Sequence, residues 1–246
     1  MNYEGLDVGT SKEVVARVDL ARKQRLGMPE AVYAHAKTTQ EVVAIVRHHL
    51  GNSDEPVIVT RCRGEVVEEI LAAEEVSIDR VHIFPDLDHE SSYRTLVIGE
   101  PEPVGFKVVI LTAGTSDLRV AYECKGTLFA LGIDSELFAD VGVAHVDRIF
   151  EVLPELDRFD VVIVVAGMEG ALASVVGGLL PQPIVAVPTS AGYGSSLEGV
   201  TTLLAMMSSC AQGVSVMGID NGFGAACAAF RISNRIGAAR LSEEIF

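Results

Sequence analysis

Asp160-Val-Val-Ile-Val-Val165 runs directly into Ala166-Gly-Met-Glu-Gly170 and then into Ala171-Leu-Ala-Ser-Val-Val-Gly-Gly-Leu179, and this stretch decides the fold. A continuous apolar strand has no polar side to turn to water, so it must be covered on both faces, as strands of a parallel sheet are. The glycines after it turn the chain tightly, and the apolar run beyond has the length of a buried helix. As one piece, Val161 to Leu180 is nearly long enough to cross a bilayer. Glu169, Gly167, Gly170, Gly177, Gly178 and the following Pro181 suit a strand, a turn and a buried helix better.

The same rhythm repeats on either side. Lys107-Val-Val-Ile-Leu-Thr112 enters Ala113-Gly-Thr-Ser-Asp117 and a helix to about Leu131. Pro183-Ile-Val-Ala-Val187 enters Pro188-Thr-Ser-Ala-Gly-Tyr-Gly194 and a helix carrying Leu203, Leu204, Met206 and Met207. Gly213-Val-Ser-Val-Met-Gly218 enters Ile219-Asp-Asn-Gly-Phe-Gly224 and a last helix. Right-handed crossovers put all these glycine loops at the C-terminal edge of one sheet, where they converge. Residues 104–246 are therefore expected to form a doubly wound parallel α/β domain. Gly99-Glu-Pro-Glu-Pro-Val-Gly105 reads as a linker. Before it, the pattern predicts helices over Ser11–Leu26 (closed by Gly27 and Pro29), from Thr38 or Thr39 to Leu50, and over Gly64–Ala73. Strands are predicted over Pro56–Thr60, Val81–Phe84 and Tyr93–Ile98, making residues 1–103 a smaller α/β domain.

Composition supports this class and excludes others. With 49% hydrophobic residues, 23 glycines and no tryptophan, the core is built of small aliphatic side chains suited to a sheet under helices. A formal net charge of −15 argues against a nucleic-acid binder and against an anionic membrane surface as partner. MNYEGLDVGTSKEVV lacks the basic and apolar regions of a signal peptide. Cys62, Cys124, Cys210 and Cys227 form no CxxC pair, which fits a reducing compartment, so a cytoplasmic location is expected.

Candidate chemistry follows from the loops. Ala113-Gly-Thr-Ser-Asp117 enters a helix N-terminus, where unpaired N–H groups and the helix dipole favour an anion; Gly114 permits close approach, while Ser116 and Asp117 either bind a ligand or cap the helix. Neither GxxxxGK[ST] nor a post-strand GxGxxG is present. Glu169, between a buried strand and an apolar helix, should be paired, metal-bound or catalytic, unless it is a first-turn residue facing the dipole. His145, Asp147 and Arg148 fit a ligand-facing loop or a solvated helix face. Cys210 taken alone is an ordinary small hydrophobe at the end of an apolar helix.

As a set, several segments resemble a known family. They are Asp19-x-x-Arg22-x-x-Arg25-x-Gly-x-Pro-Glu30, Ala-Gly-Thr-Ser-Asp117, Asp140-Val-Gly-Val-Ala144, Val-Ala-Gly-Met-Glu-Gly-Ala-Leu172, Val-Pro-Thr-Ser-Ala-Gly-Tyr-Gly194, Ser-Cys-Ala211 and Ile-Asp-Asn-Gly-Phe-Gly-Ala-Ala226. Phe106 to about Ile236 is similar to the PurE class of aminoimidazole ribonucleotide carboxylases, which implies a flavodoxin-like sheet. The whole chain resembles the LarB family, the pyridinium-3,5-biscarboxylic acid mononucleotide synthases of nickel-pincer nucleotide biosynthesis. That resemblance implies carboxylation of nicotinic acid adenine dinucleotide at C5 of its pyridinium ring by CO2 or bicarbonate, with release of AMP. It also implies Mg²⁺ and a homo-oligomer, an octamer in the PurE class.

By the same resemblance the nucleophile is Cys210, and Asp117 and Glu169 share the catalytic site, Glu169 for acid/base work or for hydrated Mg²⁺. Gly114, Thr115, Ser116, Arg148, Gly167, Met168, Thr189, Ser190, Tyr193, Gly194, Asp220 and Asn221 would hold the substrate, as would Arg22 and Arg25 from the first domain. The chain departs from the family where GVAGxHR is expected: Gly142-Val-Ala-His-Val-Asp-Arg148 places Asp147 at the usual histidine and a histidine at His145. A purine-type carboxylase or mutase on the same fold, and a nucleotide-binding protein without turnover, are the competing readings.

Overall fold

The computed structural model describes residues 4–7, 14–19 and 21–243, with side chains described over 18–19 and 21–235. Two compact units result, Met1–Glu102 with Phe129–Leu131, and Pro103–Leu128 with Gly132–Phe246. The break between Glu102 and Pro103 falls within the Gly99–Gly105 stretch.

In the first unit, β1 (Glu4–Asp7) and β2 (Val14–Val18) form an antiparallel pair. The helix expected over Ser11–Leu26 is therefore a correction: Ser11 lies outside the described residues, Val14–Val18 is a strand, and only Arg22–Leu26 is helical (α1). Val14, Val15 and Val18 lose rotamer freedom in a helix and fit a pleated surface instead. Gly27 closes α1 in the left-handed conformation at φ 73°, a geometry that costs glycine nothing.

β3 (Ala31–Tyr33), β4 (Val57–Cys62), β5 (Val81–Phe84) and β6 (Arg94–Ile98) form a mixed sheet of order β3-β4-β6-β5. β3 runs parallel to β4, and β6 runs antiparallel to β4 and β5. Helices α2 (Thr39–Asn52) and α3 (Gly64–Leu71) contribute Val42, Ile45, Val46, Val66, Val67 and Ile70 to a core shared with Val57, Val59, Leu96 and Ile98. Thr38 caps α2 reciprocally: its hydroxyl accepts from Glu41 N–H at 3.3 Å, and its own N–H donates to Glu41 Oε2 at 2.7 Å. These bonds hold the Glu41 carboxyl below its usual range.

The second unit is an all-parallel five-stranded sheet of order β11-β10-β9-β7-β8. Its strands are β7 (Lys107–Thr112), β8 (Asp134–Phe138), β9 (Val161–Ala166), β10 (Ile184–Pro188) and β11 (Val214–Val216). Between them run α4 (Leu118–Ala130), α5 (Asp147–Val152), α6 (Ala171–Leu179) and α7 (Val200–Met207), with α8 (Gly222–Glu243) last. Every residue of β9 is 0% exposed, as a central strand without a polar face requires. β8 is absent from the sequence expectation because Asp134-Ser-Glu-Leu-Phe138 is polar, and it can be polar because it is an edge strand, only partly buried. The long apolar stretch resolves into β9, a turn and α6. Among the described residues no helix is long and apolar enough to cross a membrane.

One buried side chain of the first unit titrates in reach of mild acid. His49 sits on the core face of α2, 8% exposed, with Nε2 lacking a hydrogen-bond partner. Burial, helped by the neighbouring His48, pushes its pKa down from 6.5 to about 4. A depressed folded-state value means stability that is whole above pH 6.5 and lost as pH falls through about 4. The difference corresponds to about 3 kcal/mol at full protonation. Urea unfolding at pH 7 and pH 4 should show His49→Leu losing less stability across that interval than the wild type does, by a sizeable fraction of this amount. Equal losses would place the acid sensitivity elsewhere.

Candidate active site

β7 and β9 are neighbours whose connections leave in opposite directions, to β8 on one side and β10 on the other. Such a switch point opens a crevice at the C-terminal edge of the sheet. Here it is a cleft of about 560 Å³. The loop after β7 lines it with Ala113, Gly114, Ser116 and Asp117, and that after β8 with Gly142, Val143 and Ala144. The loop after β9 and the start of α6 supply Gly167, Met168, Glu169 and Leu172, and the loop after β10 supplies Ala191, Gly192 and Tyr193.

The loops meet backbone to backbone. A Cβ on Gly142 would fall 2.3 Å from the Ala113 carbonyl oxygen, and one on Gly167 would fall 2.2 Å from that of Ala191. Met168 N–H donates to Ala191 O at 3.1 Å, and Thr189 N–H donates to Ala166 O at 2.9 Å. Met168 itself adopts φ 56°, a left-handed conformation rare for a side chain of this kind, and remains 40% exposed.

Asp117 ties three loops together. Its carboxylate is 3% exposed; Oδ2 accepts from Gly114 N–H at 2.9 Å, Oδ1 accepts from the Thr189 hydroxyl at 2.6 Å, and the Gly167 N–H also bonds to it. Burial pushes its pKa above the usual carboxylate range, nearby Asp220 adds to this, and the three donors oppose it. With its oxygens engaged by protein donors, Asp117 is placed to position the loops.

A second polar group lies beside the first. Asp220, at φ 56°, accepts from Ser190 N–H at 2.9 Å and from Ser190 Oγ at 2.6 Å. Arg119, in the first turn of α4, donates through Nη2 to Asp220 Oδ2 and to Ser190 Oγ, each at 3.1 Å. Deeper, the buried Glu123 accepts from Gly222 and Phe223 N–H at 3.1 and 3.4 Å, and Asn221 Oδ1 accepts from Gly224 N–H at 2.7 Å. Glu123 and Asn221 thus serve the N-terminus of α8. Sequence reasoning missed Arg119 and Glu123. The signal available for Arg119 was its i+3 spacing from Ser116, which puts both on one side of the helix start.

Of the residues singled out from the sequence, Gly114, Ser116, Asp117, Gly167, Met168, Glu169 and Tyr193 line the cleft, and Thr189, Ser190 and Asp220 brace its walls. Thr115, Asn221, Gly194 and Arg148 do not line it. Arg148 pairs with Asp140 (Nη1 to Oδ2, 2.7 Å), while His145 and Asp147 stand 3.5 Å apart with both side chains mostly exposed. Glu169 is exposed, so the cost of burying its charge does not arise. Arg22 and Arg25 belong to α1 of the first unit, where Arg25 grips Asp19 (Nη1 to Oδ1, 2.9 Å) and lowers its pKa.

Cys210 is the exposed thiol of the four, in the turn between α7 and β11, outside the cleft lining. Its neighbour Ser209 is hydrogen-bonded to Ser174 of α6 at 2.7 Å. Burial pushes Cys62 up to about 12 and Cys124 well above the ordinary thiol range, so neither offers a thiolate; Cys227 is half-buried. Among the described residues no three His, Cys, Asp or Glu side chains converge as a metal cage. Glu169 is a free carboxylate at the cleft, a donor of the kind that meets a hydrated Mg²⁺ carried mainly by substrate phosphates.

Comparison with known proteins assigns both halves. Residues 107–244 match the AIR carboxylase family model, and residues 10–98 match the LarB/PurE-like N-terminal domain. An uncharacterized protein of Methanocaldococcus jannaschii is 38% identical over 215 residues, covering 85% of this chain and 80% of the relative. The N5-carboxyaminoimidazole ribonucleotide mutase of the same organism is 32% identical over 130 residues, 51% of this chain and 77% of the relative. A parallel sheet with its cleft at the switch point, preceded by that N-terminal domain, places the chain in the LarB family of PurE-like, AIR-carboxylase-fold proteins.

Proposed function

We propose that this protein carboxylates the pyridinium ring of nicotinic acid adenine dinucleotide at C5 and hydrolyses the phosphoanhydride, water adding across the P–O–P bond, giving pyridinium-3,5-biscarboxylic acid mononucleotide and AMP. The observation that carries it is the LarB-type N-terminal domain ahead of an AIR-carboxylase domain in a chain that keeps one exposed thiol. A purine-type enzyme needs neither feature.

The ring's electron deficiency sets the chemistry. A pyridinium cannot attack CO2, so its electron demand must first be reversed. The Cys210 thiolate adds to the ring, forming a C–S bond and leaving C5 as an enamine carbon. C5 attacks CO2 to form the C–C bond, the C5 proton departs to a base, and expulsion of the thiolate restores aromaticity. A thiolate suits both steps, being a strong nucleophile and a competent leaving group. Glu169, exposed at the cleft, is the residue available to take that proton or to hold hydrated Mg²⁺. Such an ion would neutralise the diphosphate. The Ser116 N–H and hydroxyl would receive the anionic end, with Asp117 holding that loop in place through the Gly114 N–H.

Cys210 does not line the cleft of its own chain, and in this reading a second copy supplies the thiol. An exposed apolar stripe supports this association: Leu197, Val200, Leu204 and Met207, spaced along one side of α7 and the turn before it, are 63%, 43%, 58% and 68% exposed. Exposed apolar side chains grouped along one element are typical of protein contact faces.

The relationship to the mutase favours one alternative, rearrangement or carboxylation of an aminoimidazole ribonucleotide on the same cleft. Mass spectrometry of wild-type protein incubated with nicotinic acid adenine dinucleotide, bicarbonate and Mg²⁺ distinguishes the two. AMP and a dicarboxylated pyridinium mononucleotide are expected, and Cys210→Ser should abolish both while leaving the fold intact. Turnover of N5-carboxyaminoimidazole ribonucleotide alone would replace this reading with the purine one. Sharing of the site makes a further prediction: Cys210→Ala and Asp117→Asn subunits, each inactive alone, should on co-assembly recover about a quarter of wild-type activity, because random pairing rebuilds one site in four. No recovery would confine the chemistry to a single chain.

A further inference from the structure

We infer that Arg119 sets the charge selectivity of the cleft by recognising the phosphate of a nucleotide ligand, an inference that rests on the nucleotide reading above. The wall formed by the loops after β7, β10 and β11 carries two neighbouring carboxylates, Asp117 and Asp220, and Glu169 faces the same cleft. Carboxylates this close would repel an anion unless a cation offset them locally. Arg148, the other arginine near these loops, is turned to Asp140 through both its carboxylate and its carbonyl.

Arg119 is differently placed. Its Nη2 alone reaches Asp220 Oδ2 and Ser190 Oγ, at 3.1 Å each, and its side chain remains 43% exposed. Nε and Nη1 make no hydrogen bond to the described residues, leaving donors of a rigid fork whose geometry matches a phosphate or carboxylate. Asp220 and Ser190 fix that fork by one nitrogen, so the guanidinium is held at the loops before any ligand arrives. Ser190 precedes Ala191 and Gly192 of the cleft wall, and Ser116, with its exposed hydroxyl, stands one turn before Arg119. Arg119 itself does not line the cleft; it is held beside it, between Ser116 of one wall and Ser190 behind the other, within a side chain's reach of an anion seated at the start of α4.

Calorimetric titration of the full chain with nicotinic acid mononucleotide and with nicotinic acid riboside, identical but for the phosphate, tests this. Wild type should bind the mononucleotide more tightly. Arg119→Gln should weaken the mononucleotide about tenfold and leave the riboside unchanged, erasing most of the preference. Arg119→Lys should restore part of the charge attraction without the fork, giving an intermediate affinity that falls more steeply with salt. Equal weakening of both ligands by Arg119→Gln would mean that Arg119 only holds Ser190 and Asp220 in place, and unchanged affinities would deny it any role; either overturns the inference. Wild type binding the riboside as tightly as the mononucleotide would overturn it while leaving the nucleotide reading intact. Binding of neither probe would sink both.

Discussion

The buried Asp117 carboxylate is the constraint on which the cleft depends. A sheet fixes where its strands end but not how the following loops lie, and loops at a switch point leave in opposite directions. One carboxylate accepting from Gly114, Gly167 and Thr189 joins the loops after β7, β9 and β10 at a single point. A buried charge is stable only when it is well hydrogen-bonded, and losing one donor would cost about 1–3 kcal/mol. Burial, with nearby Asp220, pushes the pKa of Asp117 up against the pull of the three donors. The close approach of Gly167 to the Ala191 carbonyl belongs to the same solution, since the loops after β9 and β10, both drawn to one carboxylate, leave no room for a Cβ.

The second unit was the more legible half of the sequence, for a physical reason. Strands buried on both faces are nearly all apolar, so β9, β10 and the middle of β7 stand out as continuous apolar runs, and a parallel order forces their loops to one edge. β8 escaped because an edge strand is free to be polar. In the first unit, Val14, Val15 and Val18 read as part of a mixed helix face with Leu20. Its strand character comes from pairing with β1, a partner that local pattern does not reveal.

The site was legible in its loops and illegible in its bonding. Glycine-rich stretches named the correct segments, but sequence could not distinguish a ligand-facing carboxylate from a structural one. Glu169, expected to be buried, is exposed; Asp117 is buried and already bonded; Asn221 caps α8. Glu123, in the middle of a helix, gave no sign that it receives the start of α8 from 99 residues away. The roles of Asp117 and Glu123 are fixed by hydrogen bonds to Thr189 and Gly222, 72 and 99 residues away, which no local window contains; the Asn221 cap is local, to Gly224.

The protein's acidity and its proposed anionic substrate are compatible because the two act at different ranges. Net charge governs the field far from the surface and is screened within about 8–10 Å at ordinary ionic strength. At the cleft, what an anion would meet is set by nearby groups: the hydroxyl of Ser116 on its wall and, by the inference above, the guanidinium of Arg119 beside it. An acidic chain can therefore hold an anion, provided that the carboxylates of its own loops are already satisfied. Asp117 and Asp220 meet that condition by being bonded to the loops they organise, so the same hydrogen bonds that assemble the cleft also blunt its negative charge.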